Sequence, residues 1–470
     1  MNPLLNPFIS LPLLKGYLFD PSRLERFSQE KMRKYRDKAF RNIVKYAYNV
    51  PLYHEKYKKN GIRPSDIRGI RDINKIPMIS KNDIRKNFPD KIIPNNFNKK
   101  NGFIICTGGT TGKSISLYTD FYTIGKAGAL FIRELNAFNL NQKKTRIAHV
   151  GNFNPCRIDM VVEEHFYKYL NRLFPKNNRF NINANTPIKE LIEKLDKFKP
   201  DLILSYPATF QHLAFLKRKG FGKNIKPKVL YTGGTILDEY TRNYVQDSFK
   251  CPMLNTYQSV EAQGQIATEC KKGSWHINWD FYNVEAIDKN GDIVAPGERG
   301  HILLTRLWGT GTPIIRYSGM DDWINIIPLK ECKCGLTTPV LDGGTEGRKR
   351  ANIVLPNGTV FPAGAFCFIE PVLTKYKSFM IKQYQIIQKK IDEIEILLVI
   401  DEELRNLGVS VDVIKKEIKD IYKEKVGSEV NITVKEVEKI KNKESPGKPT
   451  PIVVTKVKLE EGFKILENMT

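Results

Sequence analysis

Residues 106–114, CTGGTTGKS, carry the side chains best suited to phosphate in this chain of 470 residues. Gly108, Gly109 and Gly112 let the backbone approach an anion, Thr110 and Thr111 offer hydroxyl donors, and Lys113 offers charge. The ending Gly112-Lys113-Ser114 matches the last positions of a Walker A loop. That loop also needs a glycine where Thr107 stands, and a helix directly after it. Here Ile115-Ser116-Leu117-Tyr118 follows, β-branched and aromatic, which reads as a strand. The stretch is a phosphate-suited loop in a strand–turn–strand setting, with an ordinary Gly/Thr hairpin as the plain alternative.

A second set of residues suits a metal. Cys270 and His276 are spaced C-x5-H, and Cys332 and Cys334 form C-x-C followed by Gly335. Three thiolates and one imidazole make a closed, tetrahedral, structural zinc site. The chain has six histidines in all, so one beside a cysteine, with a cysteine pair downstream, favours the metal over four unrelated side chains.

These side chains need a scaffold. FIICT and ISLY flank the Gly/Thr loop, and short apolar runs recur at 202–204, 229–231 and 302–304. Helix-like periodicity lies between them, as in 187–198 and 237–249. Strands alternating with helices predict an α/β core. The pattern breaks at GGTEGRKR, 343–350, and a lysine-rich α+β stretch follows. Within it, 394–400 reads as a strand and 411–425 as a helix capped by Ser410. The expected organisation is a large N-terminal domain, 1–347, with a helical N-terminal region, and a small α+β domain, 351–470. A hinge is expected near 348–350.

Composition narrows the class. At 41% hydrophobic residues the chain is globular and long enough for two domains. No 18-residue apolar run is present, so no transmembrane helix is expected. The N-terminus, MNPLLNPFISLPLLKGYLF, is apolar but contains Pro3, Pro7 and Pro12 and has no basic start, unlike a signal peptide. It reads as a segment packed on the body, with weak membrane-surface attachment as the other reading. Seven scattered cysteines without a secretory signal imply reduced thiols or a metal, no disulfide framework, and a cytoplasmic protein. The net charge of +25 suggests polyanionic partners: nucleotides, coenzyme A, nucleic acid or anionic lipid. Residues 31–60 hold ten Lys/Arg against two Asp/Glu, interleaved with Tyr35, Tyr46, Tyr48, Tyr53 and Tyr57. A nucleic-acid face is one reading. A solvated face over the buried stripe Phe40, Ile43, Val44 and Ala47 is preferred, because that spacing is helical.

The motifs that follow come in a telling order: YTGGTILDE (231–239), NTYQSVEAQG (255–264), GERGHILLTRLWGTGTPIIRYSGMDD (297–322), EGRKR (346–350) and SPGKPTP (445–451). Together with VPLYHEKY (50–57) and the Gly/Thr loop, this set resembles the adenylate-forming superfamily of acyl-CoA synthetases. More narrowly it resembles the phenylacetate–coenzyme A ligase family. LPNGTVFP (355–362) looks like the capsular-polysaccharide-biosynthesis branch of that family.

The resemblance implies an ATP-dependent carboxylate–CoA ligase that forms an acyl-adenylate and then a thioester, using ATP, Mg²⁺ and coenzyme A. Thr107, Gly108, Gly109, Thr110, Thr111, Gly112 and Lys113 would hold the ATP phosphates, and Gly233-Gly234 would lie against adenine. Tyr257 would flank the purine, and Glu261 would hold Mg²⁺, a hard ligand for a hard cation. Asp321 and Arg348 would contact the ribose. Lys448 would bridge the substrate carboxylate and the α-phosphate, on a C-terminal domain that rotates between half-reactions. By position, His149-Val150-Gly151 and Tyr206-Pro207-Ala208 would line the acyl pocket. Some relatives in this family carry cysteine and histidine at the places of the proposed zinc set.

Two departures bear on the acceptor. Ser114 stands where the family usually has proline, and Arg350 stands where its hinge usually has aspartate. An adenylyltransferase resembling the coenzyme F390 synthetases, an adenylating ligase with a non-CoA acceptor, and a zinc-containing nucleic-acid-binding protein remain as alternatives.

Overall fold

Five short apolar strands run parallel on one side of an eleven-stranded sheet, in the spatial order Arg179–Asn183, Ile147–Gly151, Leu202–Ser205, Val229–Gly233 and Met253–Ser259. The computed structural model describes residues 3–457 apart from 108–114, 171–177, 185, 235, 236, 238, 289, 321, 347–351, 358, 363–365, 367, 377, 379, 401, 403, 404, 407 and 441–452. Helices Ile188–Phe198, Pro207–Arg218 and Glu239–Phe249 make the crossovers that parallel strands require. The first buries Ile188, Leu191, Ile192 and Leu195, an i, i+3, i+4, i+7 stripe. The sheet then turns antiparallel through Gly264–Glu269, Trp275–Ile277, Thr337–Glu346, Trp323–Glu331, Arg299–Arg306 and Tyr282–Ile287. The expected α/β class holds, with the strands at 202–204, 229–231 and 302–304 where the apolar runs predict them.

The basic stretch 31–60 forms helices Gln29–Tyr48 and Pro51–Lys59. Phe40, Ile43, Val44 and Ala47 are buried in the main core, where Phe40, Ile43 and Val44 each contribute about 1.5–3 kcal/mol and Ala47 less. The interleaved tyrosines also point inward. Tyr46 and Tyr53 donate to the carbonyls of Gly311 and Pro313, both at 2.8 Å, and Tyr57 is buried. These rings cannot serve as a stacking platform for bases.

The C-terminal part has its own sheet, in the order Asn431–Glu436, Glu393–Ile400, Ile381–Lys390, Val453–Thr455. Helix Val411–Val426 packs on it through Ile414, Ile418, Tyr422 and Val426, and Ser410 Oγ caps it by accepting from Val413 N. Its core, from Ile353 to Val453, is a cluster distinct from the main one. Arg85 donates from Nη2 to the carbonyl of Ile381 across the two parts, at 3.2 Å. Among the described residues no helix is long and apolar enough to cross a membrane.

One expectation is corrected. The cysteines were expected to be thiols or metal ligands, yet Cys106 and Cys156 form a disulfide across a sequence separation of 50. The fold brings the end of strand Gly102–Cys106 against the Asn152–Arg157 turn, where Cys106 N donates to Cys156 O at 2.8 Å. Spacing along the chain carries no trace of that approach.

Candidate active site and metal centre

The parallel strands all end on the same edge of the sheet, the edge where open α/β sheets bind ligands. Asn183, Gly151, Ser205, Gly233 and Ser259 are their last residues. The pairings Ser205↔Thr232 and Gly233↔Thr256 set neighbouring strand ends side by side. This row brings together His149–Gly151, Tyr206, Gly233-Gly234 and Tyr257, which lie far apart in sequence.

Each member has a local reason for its place. Gly234 has φ +77° and lies 3.5 Å from the Tyr206 ring, measured from an added Cβ. A Cβ on Gly233 would come within 2.8 Å of Thr256 Oγ1, so the turn stays thin enough for a flat ligand. Tyr257 donates its hydroxyl to Asp322 Oδ2 at 2.7 Å, which fixes the ring. Asp321, the expected ribose contact, lies outside the described residues; its neighbour Asp322 is the one that orients Tyr257. Ser259 Oγ accepts from Ala262 N at 3.1 Å and closes the turn that carries Glu261.

Glu261 is buried, and Tyr317 donates to its Oε1 at 3.3 Å. Burial pushes its carboxyl above the usual range, and the charge of Lys81 pulls it back. Lys81 opens helix Lys81–Asn87, whose start is fixed by a capping box between Ser80 and Asp83. Ile79 N donates to Arg316 O, and Ser318 N donates to Ile79 O, which ties this segment beside Tyr317. A Cβ on Gly319 would clash with the Tyr317 ring and hydroxyl and lie 2.7 Å from Lys81 Cγ, so the glycine makes room for both side chains. Sequence reasoning missed Lys81. The Ser80-x-x-Asp83 capping signature marks its helix start, but only the fold brings it to Glu261.

The hairpin Gly102–Cys106 and Ser116–Asp120 is antiparallel, with Cys106 opposite Ser116. Thr107 closes the neck of the loop: its N donates to Ile115 O and its Oγ1 accepts from Ile115 N, both at 3.0 Å. A strand after the loop is incompatible with a Walker A. Gly108, Gly109, Thr110, Thr111, Gly112 and Lys113 lie outside the described residues, as do Arg348, Arg350 and Lys448. In the region assigned to the acyl pocket, Asp159 Oδ2 accepts from Asn152 N at 2.8 Å and its other oxygen faces His149 Nε2 at 3.8 Å. Burial holds His149 below the usual imidazole range. Arg316, in the RYSGMDD motif, is committed elsewhere: it is buried in an ion pair with Glu285 and donates to Ile76 O.

Cys270, His276, Cys332 and Cys334 converge, with their ligand atoms all within 4.8 Å of one another. Two tight turns present the thiols. Cys270 N donates to Ser274 O and Cys332 N to Leu336 O, with Gly273 and Gly335 at positive φ. Cys270 Sγ and Cys332 Sγ are 3.8 Å apart, about the separation two thiolates have when each sits ~2.3 Å from one tetrahedral ion. His276 Nε2 faces Cys334 Sγ at 3.2 Å, while Nδ1 meets Thr338 Oγ1 at 2.7 Å, an outer partner that orients the ring. Cys270 follows strand Gly264–Glu269, whose other end lies opposite Ser259 beside Glu261. Six residues of strand place the cluster roughly 20 Å from Glu261, too far to touch the same substrate atoms.

Residues 367–455 match the family described as CapK C-terminal domain. Protein CapK of Staphylococcus aureus is 28% identical over 320 residues, 65% of this chain and 67% of that protein. The phenylacetate–coenzyme A ligase of Thermus thermophilus is 25% identical over 414 residues, 83% of this chain and 86% of its own. Among solved structures, 2-hydroxyisobutyryl-CoA ligase with 2-HIB-AMP and CoA in the thioesterification state superposes with a TM-score of 0.62. It is 18% identical and covers 95% of this chain and 94% of its own. An open conformation of the same ligase gives 0.58 at 17% identity, covering 92% and 93%.

Proposed function

We propose that this chain, which belongs to the adenylate-forming superfamily as a phenylacetate–CoA ligase-like protein with a CapK-type C-terminal part, is an AMP-forming acid–CoA ligase. It activates a carboxylic acid with ATP, releases pyrophosphate, and transfers the acyl group to the thiol of coenzyme A. The observation that carries this reading is the single sheet edge where the Gly233-Gly234 turn and the fixed Tyr257 ring stand beside buried Glu261, whose carboxyl feels the charge of Lys81.

The chemistry explains why these residue types are needed. A carboxylate must approach an anionic α-phosphorus, so positive charge has to offset repulsion in the ground state and in the transition state. Lys448 supplies it at the carboxylate and α-phosphate. Lys113 and the Gly/Thr loop hold the β- and γ-phosphates. Glu261 and Lys81 form the wall facing the triphosphate. Glu261 would hold Mg²⁺, which would supply positive charge to the phosphates. Gly233-Gly234 and Tyr257 sandwich the adenine, and Asp321 and Arg348 orient the ribose. His149, Gly151 and Tyr206 border the acyl group. The C-terminal part, beginning near residue 351, rotates about residues 348–350. That motion withdraws Lys448 and opens a path for the thiol.

Cys270, His276, Cys332 and Cys334 would hold one Zn²⁺ and so brace the antiparallel strands that continue from the Tyr257 strand. The distance from Glu261 makes its role structural.

A second reading is the same adenylation with an acceptor other than coenzyme A, which follows from the resemblance of LPNGTVFP (355–362) to the capsular-polysaccharide-biosynthesis branch. A pyrophosphate-release screen over a panel of carboxylic acids, run with and without coenzyme A, tests both. Acid-dependent release with thioester formation is the expected result. Release without thioester would move the acceptor away from coenzyme A, and no release with any acid would end the ligase reading.

A further inference from the structure

Helix Pro7–Phe19 is apolar on both sides. Its inner side carries Ile9, Leu13 and Gly16 and lies along helix Phe121–Ala137. Gly16 is buried there, and Leu13 touches the space above Gly125, where a Cβ would be 2.7 Å from its methyl carbon. At about 100° per residue, Phe8, Leu11, Leu14 and Leu18 fall on the opposite arc. They are 88%, 64%, 55% and 58% exposed. Of the ten large apolar side chains exposed among the described residues, seven lie between Leu5 and Phe19. A concentrated apolar face of this kind marks an interaction surface.

Charge selects what covers it. Lys15 is exposed within the same arc, and Arg26 stacks on Phe19 at 5.3 Å while donating to its carbonyl. The only acidic residue before Glu25 is Asp20, which is buried and paired with Arg23 and Lys126. The exposed face is therefore apolar and basic, on a chain of net charge +25. Two copies meeting there would bring like charges together, whereas an anionic bilayer supplies the opposite sign. Thirteen residues span about 20 Å, well short of the ~30 Å hydrocarbon core, so the helix suits lying in an interface and not crossing it. We propose that the outer face of helix Pro7–Phe19 is a docking surface for an anionic lipid membrane. Phe8, Leu11, Leu14 and Leu18 enter the acyl boundary, and Lys15 and Arg26 reach the headgroups.

Vesicle co-sedimentation of the full chain tests this independently of any enzymatic activity. The chain should pellet with vesicles of phosphatidylcholine mixed with phosphatidylglycerol, less with phosphatidylcholine alone, and less at high salt. The Phe8→Glu/Leu11→Glu double variant alters exposed sites only and should melt as the wild type does. Its affinity for the anionic vesicles should fall at least about tenfold. Ile293→Glu, at an exposed apolar site elsewhere, should bind as the wild type. Absence of pelleting with anionic vesicles, or equal pelleting of the double variant, overturns the proposal. So does a wild-type dimer in analytical ultracentrifugation that the double variant makes monomeric while neither binds vesicles; that result would assign the face to a second copy.

Discussion

Lys448 and Glu261 divide the proposed reaction between charge delivery and metal placement. The partner charges proposed for Lys448 exist only while the carboxylate attacks phosphorus. Lys448→Ala should therefore cut pyrophosphate release by about 10²-fold or more, the scale of losing a transition-state charge contact. The same variant given preformed acyl-adenylate should make thioester at a near normal rate. Equal slowing of both half-reactions would show that the lysine does not alternate. Lys81 acts through Glu261. Its charge lowers a carboxyl that burial raises. Lys81→Ala should move the Glu261 proton affinity up, so that the carboxylate needed for Mg²⁺ is lost at a higher pH. The acid limb of the pH–rate profile should shift to higher pH, with the alkaline limb unmoved. An unshifted acid limb would separate Lys81 from Glu261.

Two element-level junctions hold the sheet behind this site. One is the four-ligand cluster across Gly264–Glu269, Trp275–Ile277 and the Cys332–Leu336 turn. Purified protein should carry about one Zn²⁺ per chain. Cys334→Ser should lower both metal content and melting temperature, because binding a closed structural metal is linked to folding. A metal-free wild type whose melting the substitution leaves unchanged removes the zinc. The other junction is between helix Phe121–Ala137 and strand Gly264–Glu269, where Thr268 Oγ1 donates to buried Glu134 at 2.6 Å. Burial pushes Glu134 from 4.5 up to about 7. The folded state thus binds the proton more tightly than the unfolded chain does. The contribution of Glu134 to stability is fully present below about 4.5 and is lost as pH rises towards about 7, by roughly 3 kcal/mol in all. Glu134→Gln cannot ionise, so its melting temperature should gain on the wild type between pH 5 and pH 8. Parallel curves would contradict the assignment.

At the scale of the whole molecule, the proposed cycle depends on one rotation of the C-terminal part. Its separate core, Ile353 to Val453, would let it move as a unit. Arg350→Pro restricts the backbone at the proposed hinge. It should spare pyrophosphate release and block thioester formation from preformed acyl-adenylate. A variant that loses pyrophosphate release as well would put the pivot elsewhere.

Periodicity determined much of this molecule. The stripe Phe40, Ile43, Val44, Ala47 is buried as its spacing requires, and helix Val411–Val426 starts at its Ser410 cap. Local signals suffice there, because a helix face and a cap are defined within a few residues. The strand after the Gly/Thr loop was legible for the same reason: Ile115–Tyr118 favours extended backbone whatever surrounds it. The zinc set was half legible. C-x5-H and C-x-C are local, while their convergence depends on strand pairing between residues about 60 positions apart. Tertiary structure alone decided the rest. Lys81 comes near Glu261 because segment 79–81 pairs beside Tyr317, and Asp322, just before strand Trp323–Glu331, meets Tyr257 although their strands are not adjacent in the sheet. Cys106 meets Cys156 at the end of a hairpin. Those meetings arise from chain closure over long separations, which leaves no period or spacing in the sequence to read.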